Sequence, residues 1–194
     1  MAPPILILAS ASPRRAAILG ALGIPFRAVT PSVDESLLPG EGGGAAAERL
    51  ARAKAASVVG AEGLPVVAAD TLVVCDGAVL GKPATPEDAA RMLRGLAGRS
   101  HEVVTGVCLA TREARRSGVE TTSVTFAPMS EAEIAWYVAT GEPMDKAGAY
   151  HVDGRGALFI AAVRGSPSNV AGLPVRLMLR LAEEAGVPLG PGRR

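Results

Sequence analysis

Glutamine is absent from this chain, asparagine occurs once, at Asn169, and lysine only three times, at Lys54, Lys82 and Lys146, against 17 arginines. Such a bias reads as drift toward arginine wherever any cation serves. On a surface the two cations are often exchangeable; at a site needing a compact ammonium or a planar fork they are not. The surviving lysines are therefore candidates for specific roles. Aromatic residues make up only 3% of the sequence, so the core has to be built from Ala, Val, Leu and Ile. With 48% hydrophobic residues in 194, the chain has enough of them for one compact domain. Apolar runs such as Ile5 to Ala9 are short. None approaches the roughly 20 residues of a membrane span. The first residues lack a basic segment followed by a long apolar one, so no secretory signal and a cytoplasmic location are expected. A net charge of +1 leaves neither a basic field for a nucleic acid polymer nor an acidic tail for a basic partner. Cys75 and Cys108 lie in apolar runs without metal-binding spacing and are expected as reduced, buried thiols.

Strand and helix signals alternate, which predicts an α/β protein. Ile5 to Ala9 reads as a buried strand, followed by Ser12 as helix cap and Pro13 at the first helical position. A second strand spans residues 26–30. A glycine-rich loop runs to Gly44, and a helix covers residues 45–59. Residues 66–69 and 72–75 read as two strands separated by Asp70-Thr71. Asp76-Gly77 is a hairpin turn leading to residues 78–80. A helix opens at Thr85-Pro86, two long strands cover 101–110 and 119–127, and Ser130 to Glu133 is a capping box. A strand at 157–163 and a helix at 174–185 close the domain, expected over residues 1–187 with 188–194 as a flexible tail.

Several segments carry groups suited to chemistry. Ser10-Ala11-Ser12-Pro13-Arg14-Arg15 sits between a strand and a helix start, where free N–H groups attract anions; Arg14 and Arg15 add forks matched to phosphate oxygens. An ordinary capped helix with surface arginines would look the same. The segment matches neither the P-loop nor the dinucleotide glycine pattern. Asp34-Glu35 precedes the flexible loop and would be solvated if it had no partner. Asp70 interrupts an apolar run, where burying a carboxylate costs several kcal/mol unless it is paired or metal-bound; a turn between strands is the bland alternative. Lys54, Lys82 in Gly81-Lys82-Pro83, and Lys146 in Asp145 to Tyr150 each fall in or beside these segments. Together they offer carboxylates for Mg²⁺ or Mn²⁺ and cations for a polyphosphate. His101 and His151 have no zinc spacing. His101 opens a strand and reads as structural, while His151 would either pack or line a pocket.

Leu8 to Arg15, Asp34-Glu35, Ala53-Lys54-Ala55, Ala69-Asp70-Thr71, Gly81-Lys82-Pro83, Asp145 to Tyr150 and Gly172-Leu173-Pro174 occur in the order found in the Maf proteins, and the chain resembles that family throughout except at its tail. The resemblance implies a mixed twisted sheet with flanking helices and two lobes around a cleft, as in inosine-triphosphate pyrophosphatases. It implies release of pyrophosphate from nucleoside triphosphates by a homodimer, with dTTP or UTP favoured. Asp70 would be the acidic residue activating water, joined by Glu35 at the metal. Ser10, Arg14, Lys54 and Lys82 would hold the triphosphate. Arg14, Thr71 and Asp153 would shape base preference. The dTTP/UTP branch normally has Gln where this chain has Asp153. An ionised aspartate accepts hydrogen bonds but cannot donate them, so either base preference differs or another donor takes over. A non-catalytic nucleotide-binding regulator of septum formation is the alternative reading.

Overall fold

A computed structural model describes residues 3–60 and 63–189. Among them a seven-stranded mixed sheet runs in the order β2-β1-β3-β5-β6-β7, with β4 added to β3. The strands are β1 (Leu6–Ala9), β2 (Phe26–Val29), β3 (Val66–Cys75), β4 (Ala78–Leu80), β5 (Ser100–Ala110), β6 (Arg115–Phe126) and β7 (Ile160–Arg164). Both neighbours of β1 are parallel to it and the remaining pairs are antiparallel. The helices are α1 (Pro13–Ala21), α2 (Gly43–Ala56), α3 (Pro86–Leu96), α4 (Glu131–Ala139), the short α5 (Pro167–Val170) and α6 (Val175–Glu184). None of the described helices is long and apolar enough to cross a membrane.

Strand β3 is the axis of the molecule. One of its edges pairs continuously with β5 from Val66 to Val74. The other edge is shared: β1 takes Val66–Ala68 and β4 takes Val73–Cys75. Between those two partners Ala69 to Leu72 have an open edge, and the cleft lies there. Side chains alternate across a strand, so Asp70 lies on the face covered by α2, with Val66, Ala68 and Leu72. Thr71 lies on the opposite face, between Val67 and Ala69, which pack on α6, and Val73, which packs on α3 and α4. The lobe at the start of β3 carries α1 and α6; the lobe at its end carries β4, α3, α4 and the turns around 142–159.

The structure departs from the sequence reading at several elements. Asp70-Thr71 does not separate two strands; β3 runs unbroken through it because the carboxylate has a buried cationic partner and the backbone ladder to β5 continues. Strand β6 begins at Arg115, earlier than expected, since its polar start still pairs with Leu109 and Ala110. Residues 155–159 form a 3₁₀ turn before β7 instead of its first half. Helix α5 was not anticipated; Ser166 caps it by accepting from the Asn169 amide. Leu189 is buried against the α6 cluster, two residues past the expected domain boundary, and 190–194 lie outside the described residues. Both cysteines are free and buried, and burial pushes the Cys108 thiol up to about 11.

Helix α2 reaches the sheet because its inner face is nearly all alanine: Ala46, Ala47, Ala51 and Ala55 are fully buried, with Lys54 on the same face. Gly106, the β5 partner of Asp70, lets the helix backbone come closest. A Cβ there would fall on the Ala47 carbonyl and within 2.5 Å of the Glu48 amide nitrogen. Gly106→Ala therefore has to push α2 off the sheet. The expected cost is about 3 kcal/mol, a thermal midpoint lower by roughly 6–12 °C in a calorimetric scan.

Candidate active site

The cleft has a volume of about 650 Å³ and takes residues from both lobes and from α2. At its floor is the Asp70 carboxylate, buried to 6% exposure. Lys54 Nζ donates to Asp70 Oδ1 at 2.5 Å and stands 2.8 Å from Glu35 Oε1. Two carboxylates from segments far apart in sequence thus meet on one ammonium. Asp70 and Lys54 are both buried, whereas the Glu35 side chain is half exposed on the loop before α2. That loop is tied down locally. The Ser36 amide donates to Asp34 Oδ1 at 2.9 Å, while Arg49 on α2 pairs with Glu41 and donates to the Ser36 carbonyl at 3.0 Å.

On the opposite face of β3 the adjacent residue, Thr71, is held by Arg15. Ser12 caps α1 by accepting from the Arg15 amide, and Pro13 starts the helix. Successive helical residues diverge by about 100°, so neighbouring arginines take different roles. Arg15 turns inward. Its Nε donates to the Gly172 carbonyl at 2.7 Å, one terminal nitrogen to Ser10 Oγ at 3.1 Å, and the other to Thr71 Oγ1 at 3.0 Å. Burial lowers this guanidinium to about 10, with Asp70 opposing the shift. Three of its five N–H groups are thus taken by protein acceptors, while the side chain still lines the cleft. Ser10 Oγ also accepts from the Ser12 amide at 3.1 Å. Arg14 also lines the cleft and makes no hydrogen bond or ion pair among the described residues. Burial lowers its pKa, and the charges of Asp145 and Asp153 oppose that. Lys82, exposed at the mouth, is likewise unpaired among the described residues. Lys146 lines the cleft but is paired with Asp145.

Nine of the ten candidate residues therefore line one cleft: Ser10, Ser12, Arg14, Arg15, Glu35, Lys54, Asp70, Thr71 and Lys82. Asp153 does not line it; it is exposed nearby, close enough for its charge to act on Arg14 and His151. Sequence reasoning missed the support under Thr71. Thr71 Oγ1 meets Thr105 Oγ1 at 3.0 Å, and Thr105 donates to the Asn169 carbonyl at 3.3 Å. Asn169 Nδ2 donates to the Val103 carbonyl and to Thr122 Oγ1, both at 2.9 Å. The signal was present: Asn169 is the single side-chain amide in the chain, as conspicuous as the rare lysines.

Comparison with known proteins identifies the family. The family described as Maf-like protein matches residues 5–185. The chain belongs to the Maf family. A relative from Anaeromyxobacter sp. (strain Fw109-5), named dTTP/UTP pyrophosphatase, is 52% identical over 95% of this chain and 91% of its own. One of the same name from Symbiobacterium thermophilum is 48% identical, covering 96% and 97%. Among solved structures, the Staphylococcus aureus Ham1 protein aligns over 93% of this chain and 98% of its own. Its TM-score is 0.55 at 14% identity, a likeness of fold alone. The mixed sheet with flanking helices expected from the Maf resemblance is thus the one observed.

The division between fixed and free arginines is open to measurement. Arg15→Lys keeps the charge but cannot serve three acceptors in a fork, and urea denaturation is expected to show a loss of about 2–4 kcal/mol. Arg14→Lys is expected to stay within about 0.5 kcal/mol of the parent.

Proposed function

We propose that this Maf protein hydrolyses nucleoside triphosphates, dTTP and UTP foremost, to the nucleoside monophosphate and pyrophosphate in the cleft at the open edge of β3. The observation that carries the reading is the meeting of a buried acid, Asp70, with Glu35 on Lys54, in a cleft that also holds the unpaired cations Arg14 and Lys82. The names of the relatives that match over nearly the whole chain support the same substrates.

The donor set fits a hard divalent cation: two carboxylates converge on one positive charge, one of them half exposed at the cleft. Mg²⁺ typically uses one or two carboxylates and fills its remaining positions with water and substrate phosphates. Glu35 and Asp70 would hold Mg²⁺ or Mn²⁺. Once bound, the ion would neutralise phosphate charge and lower the pKa of bound water.

The chain's own groups supply the rest. Asp70 orients a water for attack on the α-phosphorus and accepts its proton as the new P–O bond forms. Lys54 keeps the Asp70 carboxylate aimed until then. The bond to the bridging oxygen breaks, and the leaving pyrophosphate carries its charge onto Arg14 and Lys82, whose donors are not consumed by the protein. Ser10, Ser12 and the α1 start line the same wall, where main-chain N–H groups favour an anion.

A pyrophosphate-release screen tests the reading with dTTP, UTP, CTP and 7-methyl-GTP, in Mg²⁺ and in Mn²⁺. Release from dTTP and UTP is expected, and Asp70→Asn should lower kcat by about 10²-fold or more with the far-ultraviolet spectrum retained. Nucleotide bound without turnover would instead favour the non-catalytic regulator.

A further inference from the structure

The loop that brings Glu35 to the cleft is closed by groups with no role in the chemistry above. Leu38-Pro39-Gly40-Glu41 is a tight turn. The Glu41 amide donates to the Leu38 carbonyl at 3.1 Å, and Gly40 has a φ of +74°, which the third residue of a type II turn requires. The turn presents the Glu41 carboxylate to the loop and to α2. One of its oxygens accepts from the Leu38 amide at 3.3 Å, and the two oxygens take Nε and one terminal nitrogen of Arg49, both at 2.7 Å. That terminal nitrogen also donates to the Ser36 carbonyl at 3.0 Å. Planar two-point pairing fixes where a guanidinium points, so the Ser36 carbonyl is held at a set place beside α2. The hydrogen bond from Arg49 keeps the Glu41 carboxyl below its usual range and raises the guanidinium, so the pair is ionised at neutral pH.

Ser36 lies between two residues that line the cleft, Glu35 and Leu37. Among the described residues the Glu35 carboxylate has one ion-pair partner, Lys54, and its side chain is half exposed. Asp70 is held differently, because β3 is fastened to β5 along its length. One carboxylate is thus placed by a strand and the other by a loop. The tie to Lys54 is also the weaker one once the site is loaded: Lys54 would share both carboxylates with any divalent cation bound there, and like charges repel. The tie to Arg49 grips main chain, so it leaves the Glu35 carboxylate free. A partly exposed ion pair adds little to stability, whereas groups that orient a metal ligand from behind commonly change metal affinity about 10–100-fold.

We propose that Arg49, oriented by Glu41, is the positioning residue for Glu35: it fixes the backbone beside that carboxylate so that Glu35 and Asp70 can meet on one divalent cation. This deepens the proposed function and rests on it for Glu35 as a metal ligand.

The test uses the full-length protein and probes that separate metal from phosphate. Electron paramagnetic resonance of free Mn²⁺ gives its Kd without nucleotide, and calorimetry in EDTA gives the Kd for inorganic triphosphate. Arg49→Met and Glu41→Gln should each raise the Kd for Mn²⁺ about tenfold. The Kd for triphosphate should change less than about twofold, and the thermal midpoint should stay within roughly 4 °C of the wild type. Charge alone predicts the opposite for Arg49→Met, since removing one cation favours binding of another. The double variant Arg49→Met/Glu41→Gln keeps the net charge of the pair and should bind Mn²⁺ as weakly as Arg49→Met. Unchanged or tighter Mn²⁺ binding in Arg49→Met overturns the assignment, and if Glu35→Gln still weakens binding the metal site itself stands. Wild-type affinity in the double variant also overturns it and reduces the pair to a balance of charge. Equal weakening of Mn²⁺ and triphosphate overturns it as well, because the whole cleft has then changed. No Mn²⁺ binding in the wild type, or binding that Glu35→Gln leaves intact, removes Glu35 as a metal ligand and the role of Arg49 with it. Mn²⁺ binding that depends on both Glu35 and Arg49, without pyrophosphate release from UTP, leaves the assignment standing and refutes the proposed hydrolysis instead.

Discussion

A lysine ammonium buried between two carboxylates is the interaction on which the arrangement of the cleft depends. Lys54 comes from α2, Asp70 from the middle of the central strand, and Glu35 from the loop that enters the helix. Removing two buried charges from water costs several kcal/mol for each, and their attraction offsets this only when the geometry is tight. The contact is therefore weak evidence for stability and stronger evidence for a function that needs a carboxylate at that place. It also joins three separate segments, so the position of the loop and the register of α2 over the sheet are set by the same atoms.

The fold makes that contact available through two features of the backbone. The shared edge of β3 leaves a gap between β1 and β4, so the acid and its threonine neighbour face the cleft while the ladder to β5 holds them rigid. Period-two alternation then presents Asp70 to α2 and Thr71 to α1, and each is gripped by a cation from its own side: Lys54 on one, Arg15 on the other. Arg15 also reaches the Gly172 carbonyl near the start of α6, fastening the last helix segment to the α1 wall of the cleft. Fixed cations shape the site, and the unpaired ones, Arg14 and Lys82, remain for a ligand.

Much of this was legible in the sequence, for reasons that differ by residue. Asp70 stood out because an acid in an apolar run needs an explanation, and Lys54 because lysine is scarce. The pairing of the two was not legible, since helix register over a sheet depends on the alanine face of α2 and on Gly106, which no local pattern announces. For the same reason β3 was read as broken: without its partner, a buried carboxylate looks like a turn. Arg14 and Arg15 are identical and adjacent in sequence, and only the rotation of the helix separates the free one from the buried one. Asn169 obeyed the rarity argument but lies outside the motif-bearing segments, in a helix too short to show periodicity. Asp153 drew attention by its position in the motif, whereas the residue lining the cleft is His151, two places earlier.

The central claim is that Lys54 and Asp70 act as one unit. A double-mutant cycle with Lys54→Met, Asp70→Asn and the pair, followed by urea denaturation, measures it directly. A buried pair should give a coupling free energy of about 2 kcal/mol or more, with each single change costlier than its share of the double. Additivity within about 0.5 kcal/mol would mean that the two side chains do not depend on one another, and would contradict the account.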